Sequence, residues 1–282
     1  MPKPRERSWS KAGVLVASIM VIGFAANQSR ADLIFGLHVG ASPGIYLIDT
    51  ATGQTSLYRS APMASLGNSL AYNPANDSFF YTRSGSSSPQ VVLNTTSGSE
   101  IVLGALKTTN GVTSGTFYNG SYWVQPNYTA GILEAWQFGG GVASVLRGIP
   151  AYPTTVTYGD IASDANGVTY ASHSRGMHRY DLNALAAGCT ALPNANVFQM
   201  QLAFGPTGLF GLSGSRIYRI NTSNGAATPI SQVQGNFQFI DLASVPSPGG
   251  LGLLASTGFV LAQRRRRLRQ DGRSATTEAS RR

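Results

Sequence analysis

Two carboxylates stand at matching points of a recurring phrase in this chain. Asp160 precedes Ile161-Ala162 and Asp241 precedes Leu242-Ala243; Ser69, Ser114 and Gln201 hold the same point before Leu70-Ala71, Gly115-Thr116 and Leu202-Ala203. Five polar residues in one register suggest a ring around a channel. Two acids in such a ring have the chemistry to hold a cation or to act as an acid/base pair. The plainer alternative is that all five solvate the channel or hydrogen-bond the neighbouring element. Asp160 and Asp241 are thus the weak catalytic candidates, and Ser69, Ser114, Asp160, Gln201 and Asp241 the candidate channel-lining or ligand-binding set.

Other chemistry is sparse. Of His38, His173 and His178, the last two flank Arg175-Gly176 and so share a loop, but zinc takes three or four ligands and no third is apparent. No metal site and no cofactor is assigned. The single cysteine, Cys189, excludes an intramolecular disulfide and a cysteine-based metal cluster. A nucleophile elbow, a zinc-protease helix, a phosphate loop and a dinucleotide fingerprint are all missing. Asp164-Ala165-Asn166-Gly167 lacks the further ligands of a calcium loop and reads as a hairpin turn. Asp49, Asn94, Asp181 and Asn221 recur before turns, where an Asx side chain ordinarily bonds backbone amides two residues on. Tyr118, Tyr122, Trp123, Tyr128 and Trp136 crowd one repeat, as packing or as a rim on which sugars stack.

The elements that position these residues are set by the period. In residues 201–230, Gly, Pro and Asn turns separate four predicted strands: 201–204, 209–212, 216–221 and 226–230. The second residues of the phrase fall at 71, 116, 162, 203 and 243, giving steps of 45, 46, 41 and 40 residues. Four strands per 40–45 residues is the arithmetic of a propeller blade. The fifth copy is split: 237–245 matches a first strand only, while 33–58 matches strands two to four. The expected fold is all-β, a five-bladed β-propeller whose closing blade is shared between the N- and C-terminal strands, plus a short hydrophobic C-terminal helix. A β-sandwich with accidental periodicity is the alternative.

The net charge of +9 belongs mostly to the ends. Residues 1–31 carry five Lys/Arg and one Glu, and 263–282 carry eight Arg against Asp271 and Glu278, leaving eight basic and nine acidic residues in between. Nucleic-acid binding needs basic residues clustered on a folded face, and none is visible, so no nucleic-acid partner is expected.

A basic start, an apolar run over 12–26 and small residues at Ser29 and Ala31 make residues 1–31 a secretory signal peptide cleaved after Ala31, with an N-terminal membrane anchor as the alternative. The domain occupies 32–245. Then come Val245, Pro246, Ser247 and Pro248, an apolar run over 249–262, and Arg264, Arg265, Arg266 and Arg267, in a segment bounded at 246–269. Fourteen apolar residues are short for a spanning helix of roughly 20, and the arginines would hold its end in the cytoplasm. This order resembles the PEP-CTERM sorting signal of exported bacterial proteins, with Ser247 where the usual Glu would be and a predicted disordered tail over 270–282 beyond the arginines. The resemblance implies an inner-membrane-tethered intermediate, a membrane cysteine protease of the exosortase type as partner, and release to the cell surface or extracellular matrix. An ordinary C-terminal membrane anchor is the alternative.

Three functions stay open at this level. The leading one is an exported, non-enzymatic surface or matrix binding module for a polysaccharide or a surface protein. The second is a glycan-active hydrolase using Asp160 and Asp241; five-bladed sugar-cleaving enzymes do carry carboxylates on inner strands, usually three where this ring has two. The third is a purely structural surface protein.

Overall fold

The computed structural model describes residues 32–83, 88–108, 111–127, 131–137, 143–153 and 159–245. The signal-cleavage residue Ala31, Tyr128, the sorting residues Pro246, Ser247 and Pro248, Arg264 to Arg267 and the expected C-terminal helix lie outside the described residues. No helix among the described residues is long and apolar enough to cross a membrane.

Among the described residues, twenty strands form five antiparallel sheets of four. Blade 1 is Gly67–Asn73, Ser78–Arg83, Gln90–Asn94 and Glu100–Ala105. Blade 2 is Val112–Tyr118, Ser121–Pro126, Ile132–Gln137 and Ala143–Gly148. Blade 3 is Asp160–Ser163, Val168–His173, Gly176–Asp181 and Thr190–Leu192; blade 4 is Gln201–Gly205, Gly208–Ser213, Arg216–Ile220 and Ala227–Gln232. The closing blade places Phe239–Ala243 innermost, beside Leu33–His38, Gly44–Asp49 and Thr55–Ser60. The five first strands pack side by side in a closed cycle, so the protein is a five-bladed β-propeller. In blade 4 the strands begin or end within two residues of the sequence-based bounds.

Local chemistry explains each turn. Asn119 and Gly120 both take positive φ (46° and 73°), as a two-residue hairpin with the strand twist requires. Asp49 accepts the amides of Ala51 and Thr52, Asp181 that of Asn183, and Asn221 that of Ser223, so three of the four recurring Asx residues make the expected turns. Asn94 does not. It is buried, and its Nδ2 donates instead to Ser60 O, tying blade 1 to the closing blade.

Apolar clusters fill the seams between blades. At the seam between the closing blade and blade 1, Phe79 packs edge-on to Phe35 with centroids 4.8 Å apart, and Tyr58 and Tyr72 lie against it. The Arg59 guanidinium lies 5.1 Å from the Phe79 ring centre and is held by Asp77 at 2.9 Å. On the far side, Asp32 accepts the amide of Thr207, and Val245 donates its own to Phe204 O at 3.0 Å.

One departure in the repeat has a steric cause. Where other copies carry Leu or Ile, blade 2 carries Gly115, and a Cβ there would lie 2.5 Å from Ser69 O and 3.0 Å from the Tyr122 ring. Tyr122, fully buried, occupies that space and donates its hydroxyl to Ser69 O of blade 1. Restoring the repeat by Gly115→Leu is therefore expected to destabilise the ring by about 3 kcal/mol or more through overpacking. A thermal melt of the variant checks this; an unchanged or raised Tm would contradict it.

Candidate functional site

The structure places all five register residues on the innermost strands, with Asp160 and Asp241 as neighbours. Ser69, Ser114, Asp160 and Asp241 are fully buried and Gln201 is partly buried, each on the innermost strand of its blade. Their environment is closed. Asp160 accepts the amides of Ile161 and, from blade 4, Leu202, both at 2.6 Å. Asp241 accepts the amides of Leu242 at 2.8 Å and, from blade 1, Leu70 at 2.9 Å. Each acid thus ties its blade to the next. The two carboxyl groups also hydrogen-bond each other.

Electrostatics reflect that enclosure. Burial pushes both acids up, because an ionised carboxylate loses its water there. Asp160 is driven well above the carboxylate range, by burial first and then by the neighbouring Asp241 charge. Asp241 is raised to about 7 by burial, opposed by its hydrogen bonds from Asp160 and from backbone amides. Both acids therefore hold protons more tightly than free carboxylates do. Ser69 is strained at φ 65°, and among the described residues its Oγ and Gln201 Oε1 have no hydrogen-bond partner.

Above this ring the channel is nearly filled. A throat lined by Leu70, Gly115, Ile161, Leu202 and Leu242 holds about 20 Å³, room for about one water. Beyond the throat it opens into a pocket of about 620 Å³. All five repeats build that mouth from the same two positions. Immediately after the phrase come Tyr72, Phe117, Ser163, Phe204 and Ser244, and next Asn73, Tyr118, Asp164, Gly205 and Val245; all ten line it. Three of the first five are aromatic. Among its described lining residues Asp164 is the one charged group, and its Oδ1 already accepts the amides of Asn166 and Val168, the hairpin turn expected from the sequence.

No protein-family model and no curated protein matches this sequence. Solved structures match in fold. TolB from Acinetobacter baumannii matches at 16% identity and a TM-score of 0.45 over 72% of this chain and 51% of its own, so the chain spans about half of that structure. Virginiamycin B lyase from Staphylococcus aureus matches at 13% identity and a TM-score of 0.44 over 73% of this chain and 71% of its own. At these values the likeness carries no inference about activity.

The histidine pair also meets. His173 Nε2 lies 2.6 Å from His178 Nδ1, while the Arg175 amide donates to His173 Nδ1 at 3.0 Å. With Nδ1 accepting, Nε2 carries the hydrogen and donates it to His178. Burial, then the nearby His178 and Arg175 charges, lower His173 to about 4. No group of three or more metal-ligating side chains occurs among the described residues. His38 sits elsewhere, sharing a hydrogen bond with the Gln238 backbone and packing against Tyr46 and Phe237.

Sequence reasoning missed two features. Glu134, a fully buried acid on the third strand of blade 2, accepts the Lys107 and Thr108 amides and clasps the end of blade 1. The mouth pocket was missed because it is built of aromatic and small side chains, whereas acids and histidines are the residue types that advertise chemistry in a sequence. Its signal was present in the aromatic residue that comes after the phrase at Tyr72, Phe117 and Phe204.

Proposed function

We propose that the protein is an exported binding module of the cell surface or matrix, and that its ring holds an uncharged, amphipathic saccharide in the mouth pocket. The observation that carries this reading is the pocket's construction. Two equivalent positions of every repeat converge on it, giving aromatic walls beside amide and hydroxyl groups, with one carboxylate and no cationic side chain among the described residues. Such a lining suits sugar faces and hydroxyls and offers nothing to a phosphate. Export, tethering by 246–269 and release by an exosortase-type protease rest on the terminal sequences and their resemblance to the PEP-CTERM signal.

Binding of neutral oligosaccharides, measured by array and then calorimetry, tests the reading. Phe117→Ala and Phe204→Ala are expected to weaken binding by about tenfold or more while leaving the melting temperature within a few degrees. A panel without any binder, or binding untouched by both changes, would count against it. Intact mass of the protein from its host, starting at Asp32 and ending near 246–249, tests the sorting.

A second reading, glycan hydrolysis by Asp160 and Asp241, is favoured by one observation: a coupled carboxyl pair with raised affinity for protons, a common mark of active sites. Their full burial under a one-water throat argues for a structural role instead. Turnover of any glycan that Asp160→Asn abolishes would restore it.

A further inference from the structure

Four of the five register residues stand on consecutive blades around the axis. Asp160 and Asp241 belong to blades that are not adjacent, because blade 4, which carries Gln201, packs between them. Their carboxyl groups nevertheless hydrogen-bond each other, so the two acids meet at the axis, inside Gln201. Ser69 follows on the other side of Asp241, whose carboxyl faces the Ser69 amide as well as that of Leu70. The next residues in the chain, Leu70, Ile161, Leu202 and Leu242, line the throat, so the four stand one residue beneath it.

Two of the four hold unpartnered oxygens. Ser69 Oγ and Gln201 Oε1 are buried and, among the described residues, have no hydrogen-bond partner. Ser69 is fully buried, and a lone polar atom at that depth destabilises the fold unless something binds it. Backbone strain falls on the same residue. The ladder between the first two strands of blade 1 shifts register between Asn68 and Ala71, and within that bulge Ser69 takes φ 65°. A bulge re-aims a side chain, and strain at a non-glycine residue tends to be kept where it serves a site. Both lone oxygens can give an electron pair, as the two carboxylates can. The four share the want of a positive charge.

A set made of oxygens alone suits a hard cation. Two carboxylates balance a divalent charge, as a buried ion requires. They offer two to four oxygens, the hydroxyl and the amide two more, and a throat water one. The total is about five to seven, close to what calcium takes. Magnesium keeps several waters, whereas the throat has room for about one. Oxygens that share a calcium at about 2.4 Å stand roughly 3–5 Å apart, a spacing at which most do not hydrogen-bond one another.

We propose that Ser69, Asp160, Gln201 and Asp241 form a calcium site on the propeller axis, joining blades 1, 3 and 4 to the closing blade. The ion takes the place of the hydrogen bond between the two acids, whose protons leave to solvent. Its role is structural, and it is independent of the mouth pocket and of any saccharide there.

The test uses the full chain, unfolded in urea with a chelator and refolded with or without millimolar calcium, because the site is enclosed. After gel filtration the calcium-refolded protein is expected to keep one calcium per chain. It is expected to melt about 5 °C or more above the chelated protein. Ser69→Ala and Gln201→Met remove the two lone oxygens. Each is expected to weaken calcium retention by about tenfold or more. Each should leave the metal-free melting temperature unchanged or raised, since an unpartnered buried polar group is gone. A residue that merely supports the fold would not show that split. Refolded protein that holds no calcium and melts unchanged overturns the proposal. Retention that survives both variants also overturns it, for the ion then sits elsewhere. Equal retention of magnesium overturns the assignment to calcium. No saccharide enters these measurements, so they stand whatever the mouth pocket takes.

Discussion

Asp160→Ala is expected to lower the unfolding free energy by about 3 kcal/mol at pH 4.5 and by less at higher pH, because it leaves the buried Leu202 amide without an acceptor and Asp241 without its partner. Asp160→Asn separates the two contributions. Its amide still donates to Asp241 and its oxygen still accepts one backbone amide, but it carries no titrating proton. In the native protein both acids bind protons more tightly folded than unfolded. The unfolded chain loses those protons near pH 4, whereas folded Asp241 keeps its own to about 7 and Asp160 is likewise held well above the carboxylate range. The pair's contribution is full below pH 4 and is lost as pH rises through 7, by an amount on the order of 4 kcal/mol for Asp241 alone. The histidine pair has the opposite sign: His173, lowered to about 4, adds stability as pH rises from 4 to its ordinary 6.5. The native profile is thus a partial cancellation. Asp160→Asn removes only the Asp160 proton from this balance and leaves that of Asp241, making the variant weaker than the native protein at pH 4.5 and equal or stronger at pH 7.5. Urea unfolding at the two pH values measures it. A constant offset between the two proteins would show that the aspartates do not share a proton.

Phe79→Ala is the second large effect, expected at about 4 kcal/mol from the cavity left by a fully buried ring. Its position makes the loss more than local. Phe79 belongs to blade 1, but Phe35, Tyr58 and Arg59, which surround it, belong to the N-terminal strands of the closing blade. The variant should therefore loosen residues 33–60 ahead of the rest. Hydrogen exchange would show protection falling first in Leu33–His38 and Thr55–Ser60, with blade 3 least affected. A uniform fall across all five blades would mean that the seam is not a weak line.

The Leu-Ala phrase carried most of the architecture, since a repeat of about 40 residues with regular turns leaves little choice but a ring of small sheets. It marked the register residues of the innermost strands as well, though none of the five lines the throat or the mouth pocket. What that ring does was illegible. Whether Asp160 faces water or the Leu202 amide depends on the spacing between blades, which no single repeat encodes. Asn94 looked like its three counterparts, but blade 1 packs it under Ser60, and long-range contact overrode the local Asx habit. Gly115 looked like a lapse in the repeat until Tyr122 was seen to fill its place. Arg59 gave no signal either, for only the closed ring sets it against Phe79 and Asp77.

The shared blade also sets a timetable. Leu37 pairs with Asp241 across almost the whole domain, and the strand that completes the ring, Phe239–Ala243, is the last described strand to be synthesised. A chain still emerging lacks the one strand that seals it. Contacts this distant in sequence make folding slow. The ring therefore cannot close before Phe239–Ala243 has been made.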